Sequence, residues 1–260
     1  MSVRAIVLAG ERPGGNALAQ AFDLPSSVLV EVAGHACIIR AISALVDSRT
    51  VDGGVISGPD PATRATSPVI RAVLENTSFS WLPPENGPAE SALAALAPVG
   101  GAPVLLTAAD HALLTPEIVD NFVNLALVSE ADFVVGFVPY TIVQKAFPES
   151  RRTILKFSDG QYCGSNLFMI RTAEGASLLR FWRDIQQHRK KPWRMAKAIG
   201  PGVLLAYLAG RLPLKTALET ISDRCGCRVG YVEILNARAA VDVDSVADHA
   251  LAERVLNGEC

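Results

Sequence analysis

The stretch Arg4-Ala-Ile-Val-Leu-Ala-Gly-Glu-Arg-Pro-Gly-Gly15 constrains this chain more than any other. A short apolar run, Ala5 to Ala9, reads as a buried strand. It opens at once into a loop with three glycines and one arginine. Glycine adopts positive φ without cost and lets the backbone approach a bulky anion. Loop N–H groups and the Arg12 guanidinium are the donors a triphosphate needs. The loop is not Gly-x-Gly-x-x-Gly, and it lacks the Gly-Lys-Ser/Thr ending of a P-loop, so both common fingerprints fail. A strand feeding such a loop points to a nucleotide site; the plainer alternative is only a turn.

Bulk properties narrow the class. A chain of 260 residues, half of them hydrophobic, fits one large α/β domain or two small ones and builds a sizeable core. A net charge of −2 gives no electrostatic reason to expect nucleic acid. No segment reaches the roughly 20 apolar residues of a membrane span, and the N-terminus does not read as a signal peptide. Cytoplasm is the expected compartment. The five cysteines, at 37, 163, 225, 227 and 260, form no zinc spacing and are expected as free thiols.

Strand-like and helix-like segments alternate. Val3–Ala9, 53–58, 79–82, 103–107 and 132–137 read as strands, with helices at 34–47, 68–76, 89–97 and 115–129. This order predicts a single α/β unit over 1–260: a mostly parallel, Rossmann-like sheet with helices on both faces. The second half departs from the rhythm. Strands at 154–157 and 165–170 flank an Asp159-Gly160 turn, and a helical excursion occupies about 173–225. A strand at 228–234 and a short one at 239–243 follow, and Ser245-Val-Ala-Asp248 caps the last helix.

Three further features join the glycine loop. Val104 to Asp110 is a buried strand whose carboxyl end delivers Asp110, and in open α/β sheets ligands bind at that edge. Ala240-Val-Asp-Val-Asp244 reads as a second strand that presents Asp242 and Asp244 on one face. Gly87-Pro-Ala-Glu-Ser91 opens a helix and offers backbone groups and a hydroxyl to a base or ribose. Two carboxylates from separate strands beside a phosphate loop suggest Mg2+, which takes one or two carboxylates plus phosphate oxygens. Taken singly, Asp110 begins a turn and Asp244 precedes a helix cap.

Together these motifs resemble the MobA-like nucleotidyltransferases, which have a GT-A-like fold. Leu8-Ala-Gly-Glu-Arg-Pro-Gly-Gly15 is similar to their Leu-Ala-Gly-x-Arg-x-Gly signature. Thr107-Ala-Ala-Asp110 resembles their metal-binding strand. Cys163-Gly-Ser-Asn166-Leu-Phe resembles the strand facing the acceptor, and Val241-Asp-Val-Asp-Ser245 their C-terminal element. The resemblance spans 3–170 and 228–256. It implies transfer of an NMP from an NTP, CTP being one option, to a phosphorylated acceptor with release of pyrophosphate. It implies that Leu8, Ala9, Gly10, Glu11, Gly14, Gly15, Gly87, Ser91 and Ala109 bind nucleotide, with Arg12 on the triphosphate. It also implies Asp110 and Asp244 on Mg2+, and Arg151, Arg152 and Asn166 on the acceptor.

The resemblance departs at Ser27, where many relatives carry lysine. A hydroxyl cannot neutralise a phosphate. Either Lys156 or Arg151/Arg152 supplies that charge, or transfer is weakened and the chain acts as a nucleotide-binding sensor or partner module. A glycosyltransferase using a nucleotide sugar is a third option, disfavoured because Asp242-Val-Asp244 lies so near the C-terminus. The basic, aromatic stretch 180–197 and the apolar 202–209 read either as a lid over the sheet or as peripheral membrane contact through 180–209. The latter would suit a lipid-precursor acceptor. His111 is expected to make a satisfied local hydrogen bond.

Overall fold

The computed structural model of the chain describes residues 2–11, 15–187 and 200–259. The first half runs β1 (Val3–Leu8), α1 (Ala17–Ala21), β2 (Glu31–Val32), β3 (His35–Ala36), α2 (Cys37–Val46), β4 (Val51–Ser57), α3 (Pro61–Thr66), α4 (Pro68–Asn76), β5 (Phe79–Leu82) and α5 (Pro88–Leu96). Next come β6 (Val104–Ala108), α6 (Pro116–Leu127), β7 (Phe133–Pro139), α7 (Tyr140–Ala146), β8 (Leu155–Phe157) and β9 (Gly160–Ile170). The described chain ends with α8 (Ala176–Gln187), α9 (Pro201–Leu208), α10 (Leu214–Cys225), β10 (Val229–Glu233) and α11 (Val246–Leu256).

The main sheet has the order β10-β7-β9-β6-β1-β4-β5, with β8 paired to β9. β5, β4, β1 and β6 run parallel, as do β7 and β10. β9 is antiparallel to both neighbours and joins the two parallel blocks. The mostly parallel α/β sheet read from the sequence is therefore the observed one. Side-chain alternation explains why the central strands β1 and β6 are mostly apolar. Val3, Ala5 and Val7 of β1 enter one core cluster, and Ile6 enters the other. Leu105 of β6 points to the first and Val104 and Leu106 to the second. A strand covered on both faces has no side free for polar residues.

Local signals placed many boundaries. Thr115 accepts from Ile118 N ahead of a proline at the start of α6. Ser245 accepts from Asp248 N at the start of α11. The Ala33-Gly34 turn, with φ of 47° and 78°, joins β2 to β3 as a two-residue hairpin, so α2 begins at Cys37 rather than at 34. α3, capped by Asp60, and α7 have no counterpart in the sequence reading.

One expectation is overturned. Residues 239–243 form no strand; Ala237–Ala240 is a 3-10 turn and extended backbone follows it. Four small residues there suit a tight turn against β9 and β7 as well as they suit a strand. The helical excursion expected over about 173–225 comprises a 3-10 turn at Ala173–Gly175 and then α8, α9 and α10, with 188–199 outside the described residues.

Strand β4 must lie very close to β1. A Cβ added at Gly54 would sit 1.9 Å from the Ala5 carbonyl oxygen, a backbone atom that cannot swing away. Gly54→Ala is expected to cost at least about 3 kcal/mol in urea unfolding. Gly202→Ala, with nothing among the described residues within 4 Å of the new methyl, is expected to hold or slightly raise stability.

Candidate active site

The carboxyl edge of the central strands gathers the sequence motifs. Ala109 N donates to Leu8 O at 2.8 Å, and Ala9 N donates to Ser57 O at 2.8 Å. These bonds continue the ladder one residue past each strand and set the loop after β1 beside the loop after β6. Gly10 and Asp110 therefore emerge together. Gly10 packs against Pro84, whose Cβ would be 2.9 Å from an added methyl. Gly15 has φ of 85°, which only glycine adopts readily. Arg12 and Gly14 lie outside the described residues.

Glu11 has work within the fold. Its Oε1 accepts from Ser26 Oγ at 2.8 Å, Ser27 N at 2.5 Å and Ser27 Oγ at 2.8 Å. The carboxylate thus ties the glycine loop to the 3-10 turn at Ser27–Leu29. Ser27 is buried with its hydroxyl committed to that tie, which accounts for the serine on structural grounds. Ser91 is similarly engaged: its hydroxyl accepts from Glu85 N at 2.9 Å and orders the turn before α5. Gly87 stands at the helix entrance, with Gln186 of α8 3.4 Å from where a methyl would lie.

Asp110 is the most perturbed carboxyl of the edge. Its Oδ1 is buried and has no hydrogen-bond partner among the described residues. Burial, then the charges of Asp242 and Asp244, push its pKa from the ordinary 3.8 up to about 8, and Glu11 adds to the shift. Val243 N donates to Asp110 O at 3.0 Å, which holds the Asp242–Asp244 segment against the end of β6. So the two aspartates, 134 positions apart in Asp110 and Asp244, converge at one rim although no strand carries the second.

Arg152 balances part of this charge. Its side chain is only 8% exposed, and Nη1 donates to Asp242 Oδ1 at 2.7 Å and to Asp242 O at 3.3 Å. Nη2 pairs with Asp248 of α11. Asn166 Nδ2 donates to the other Asp242 oxygen at 3.2 Å. Asn166 reaches it from a bulge in β9, where φ is 51° and Ser165 Oγ donates to Gly136 O at 2.8 Å. Asp242 is therefore a buttress held by Arg152 and Asn166, while Asp244 stands exposed at the cleft rim.

These groups line a cleft of about 380 Å³, with Arg151, Cys163 and His111 among the walls. His111 is buried, and the backbone of Arg238 and Ala239 lies against its ring, where a local contact is expected. Burial lowers its pKa to about 4, against the pull of Asp242 and the nearby backbone of Arg238 and Ala239, so the ring is neutral near pH 7. Lys156 is exposed on β8 and alternates with Leu155, which lines the cleft. The structure groups Asp110, Asp242, Asp244, Arg151, Arg152 and Asn166; it leaves Lys156 outside the lining. The clamp role of Asp242 and Asp248 was invisible in the sequence, where Asp248 signalled only a helix cap.

The donor set suits a hard divalent cation. An orphaned, buried carboxylate oxygen beside further carboxylates lacks the positive charge that would stabilise its ionised form. Among the described residues no group of three His, Cys, Asp or Glu is arranged to hold a metal.

Two outcomes follow from the charge pattern. Arg152→Leu leaves Asp242 and Asp248 without their counter-charge and is expected to cost about 3 kcal/mol in urea unfolding. Stability should also fall as pH rises from about 6.5 to about 8. Asp110 keeps its proton in the folded state up to about 8 but loses it near 3.8 when unfolded, so the native state binds the extra proton in between and loses stability with rising pH. His111, with its folded pKa of about 4 below the ordinary 6.5, acts in the opposite sense below 6.5 and offsets Asp110 there. Thermal melts of Asp110→Asn should show the alkaline decline flattened.

Comparison with known proteins places this geometry. A search of curated protein sequences found no match. Among solved structures, a hypothetical transferase from Thermus thermophilus is 28% identical with a TM-score of 0.78, over 96% of this chain and all of that one. A CMP:2-keto-3-deoxy-manno-octonic acid synthetase complexed with CTP shares the fold, with TM-score 0.63 and 11% identity over both full chains. So does 4-diphosphocytidyl-2C-methyl-D-erythritol synthase from Anaerococcus prevotii, with TM-score 0.58 and 11% identity over 98% of this chain and 96% of that one. The family profile described as the MobA-like NTP transferase domain matches residues 5–156, more than half of the chain, and the protein belongs to that family.

Proposed function

We propose that the protein is an Mg2+-dependent nucleotidyltransferase that moves an NMP from an NTP to a phosphorylated acceptor and releases pyrophosphate. The observation that carries this reading is the buried, unpartnered Asp110 oxygen facing Asp242 and Asp244 beside the glycine loop. In this reading an acceptor phosphate oxygen attacks the α-phosphorus, the new P–O bond forms, and the bond to the β-phosphate breaks. Gly10, Gly15 and Ala109 offer close backbone to the nucleotide, with Arg12 and Gly14 completing the loop. Gly87 and Ser91 form the base wall, where the engaged Ser91 hydroxyl fixes the turn more than it reads the base.

Arg151 is the exposed cation of the cleft and the natural contact for an acceptor phosphate. Arg152 serves by holding Asp242, and Asn166 by holding the same carboxylate from the bulge. His111, neutral and on the cleft wall, offers a ring nitrogen to a bound hydroxyl. Asp110 and Asp244 would hold Mg2+, which supplies charge neutralisation on phosphate oxygens. CTP is the first nucleotide to test, because two proteins of the same fold are named for CTP or cytidylyl chemistry. A phosphorylated small molecule or lipid precursor is the acceptor class.

Ser27 motivates a second reading. Its hydroxyl belongs to Glu11, and Lys156 lies outside the cleft lining, so no lysine of the described residues replaces the expected one in the cleft. A weakened enzyme that binds nucleotide as a sensor would look the same. Pyrophosphate release across four NTPs, one sugar nucleotide and a panel of phosphorylated acceptors separates the readings. Turnover by an NTP with an acceptor is expected; nucleotide binding without turnover selects the sensor. Asp110→Asn is expected to lower Mg2+-dependent turnover by at least about 100-fold while the far-UV circular dichroism stays unchanged. Retained activity would remove the metal role from Asp110.

A further inference from the structure

Helix α9 breaks the rule that the rest of the fold obeys. Its sequence, Pro-Gly-Val-Leu-Leu-Ala-Tyr-Leu, is apolar on every side. A helix of that kind normally lies buried. Here none of its residues is buried, and Leu205 and Leu208 are 67% and 72% exposed. Its described contact with the sheet runs through Tyr207. Tyr207 packs edge-on against Phe157 of β8 with ring centroids 5.8 Å apart, and its hydroxyl accepts from Lys156 N at 3.3 Å. That contact pins α9 beside β8, whose Leu155 lines the cleft.

The sequence on either side of the helix is basic. Arg211 and Lys215 follow the helix and are exposed, Lys215 with 84% of its side chain in solvent. Its pairing with Glu219 at 3.9 Å is exposed and weak. From 185 to 218 the sequence contains seven Lys or Arg and no Asp or Glu, in a chain whose net charge is −2. Exposed leucines next to exposed cations are the chemistry that meets an anionic bilayer surface. Among the described residues no helix is long and apolar enough to cross a membrane, so such contact is interfacial.

We infer that α9, with Arg211 and Lys215, is a docking surface for an anionic lipid bilayer, entered by Leu205 and Leu208. Docking there would bring the mouth of the cleft to the membrane surface. The inference concerns binding alone and stands whether or not the transfer reaction does.

Flotation of the full chain with vesicles tests it. With phosphatidylglycerol in phosphatidylcholine at low salt, the protein should co-float, and at least about tenfold less with phosphatidylcholine alone. High salt should weaken the contact. The double variant Leu205→Glu/Leu208→Glu should lower partitioning at least about tenfold, and Arg211→Ala or Lys215→Ala about fivefold each. Val128→Glu, at an 81% exposed apolar position beyond the end of α6, should leave it unchanged. All these positions are on the surface, so thermal melts should match the parent. Absence of flotation with the anionic vesicles overturns the inference, and so does undiminished flotation of the leucine variant. A dimer in sedimentation that the leucine variant dissolves would assign the face to a second copy of the chain and overturn it equally.

Discussion

Four acids, Glu11, Asp110, Asp242 and Asp244, lie within electrostatic reach of one another at the carboxyl edge of the sheet. How that charge is balanced organises the region. Glu11 is quenched by three donors from Ser26 and Ser27, which orders the loop after β1. Asp242 is quenched by Arg152 and Asn166, which draws the segment before β8 and the bulge of β9 toward the C-terminal element. Asp110 receives no such partner among the described residues and holds a proton instead. The structural carboxylates are thus neutralised by hydrogen-bond donors and Arg152, and the buried oxygen of Asp110 is not.

The parts of this arrangement differ in what maintains them. The backbone ladder fixes where β1 and β6 end, so Gly10 and Asp110 are placed by the sheet itself. Asp242 and Asp244 are placed by one backbone bond, Val243 N to Asp110 O, and by the side chains that hold Asp242, because the segment that carries them has no strand pairing. Arg152 is the main agent, through two carboxylates and a carbonyl. Buried ion pairs contribute little net stability compared with apolar packing, yet they restrict geometry because breaking them is costly. Here the restriction falls on the rim of the cleft.

Much of the fold was legible from local chemistry. Both-face burial gave β1, β6 and β7 their apolar runs, and the caps at Thr115 and Ser245 marked the starts of α6 and α11. The run Ala239–Val243 misled because small apolar residues suit a strand and a tight turn equally; packing against β9 and β7 chose the turn. Of the site, Asp110 was readable from its position after a buried strand. Arg152 was read as a substrate contact because its partners, Asp242 and Asp248, lie 90 and 96 positions away. No spacing rule reaches that far.

By itself the sequence determined the sheet class, the glycine loop, the placement of a carboxylate at the end of β6 and an apolar segment among cations, since each follows from side-chain periodicity or backbone permissiveness over a few neighbouring residues. Only the tertiary structure decided which acids meet, which are neutralised, why Ser27 is a serine, and that α9 stays uncovered. Those depend on distances between segments remote in the chain, and burial and charge act through space rather than along it.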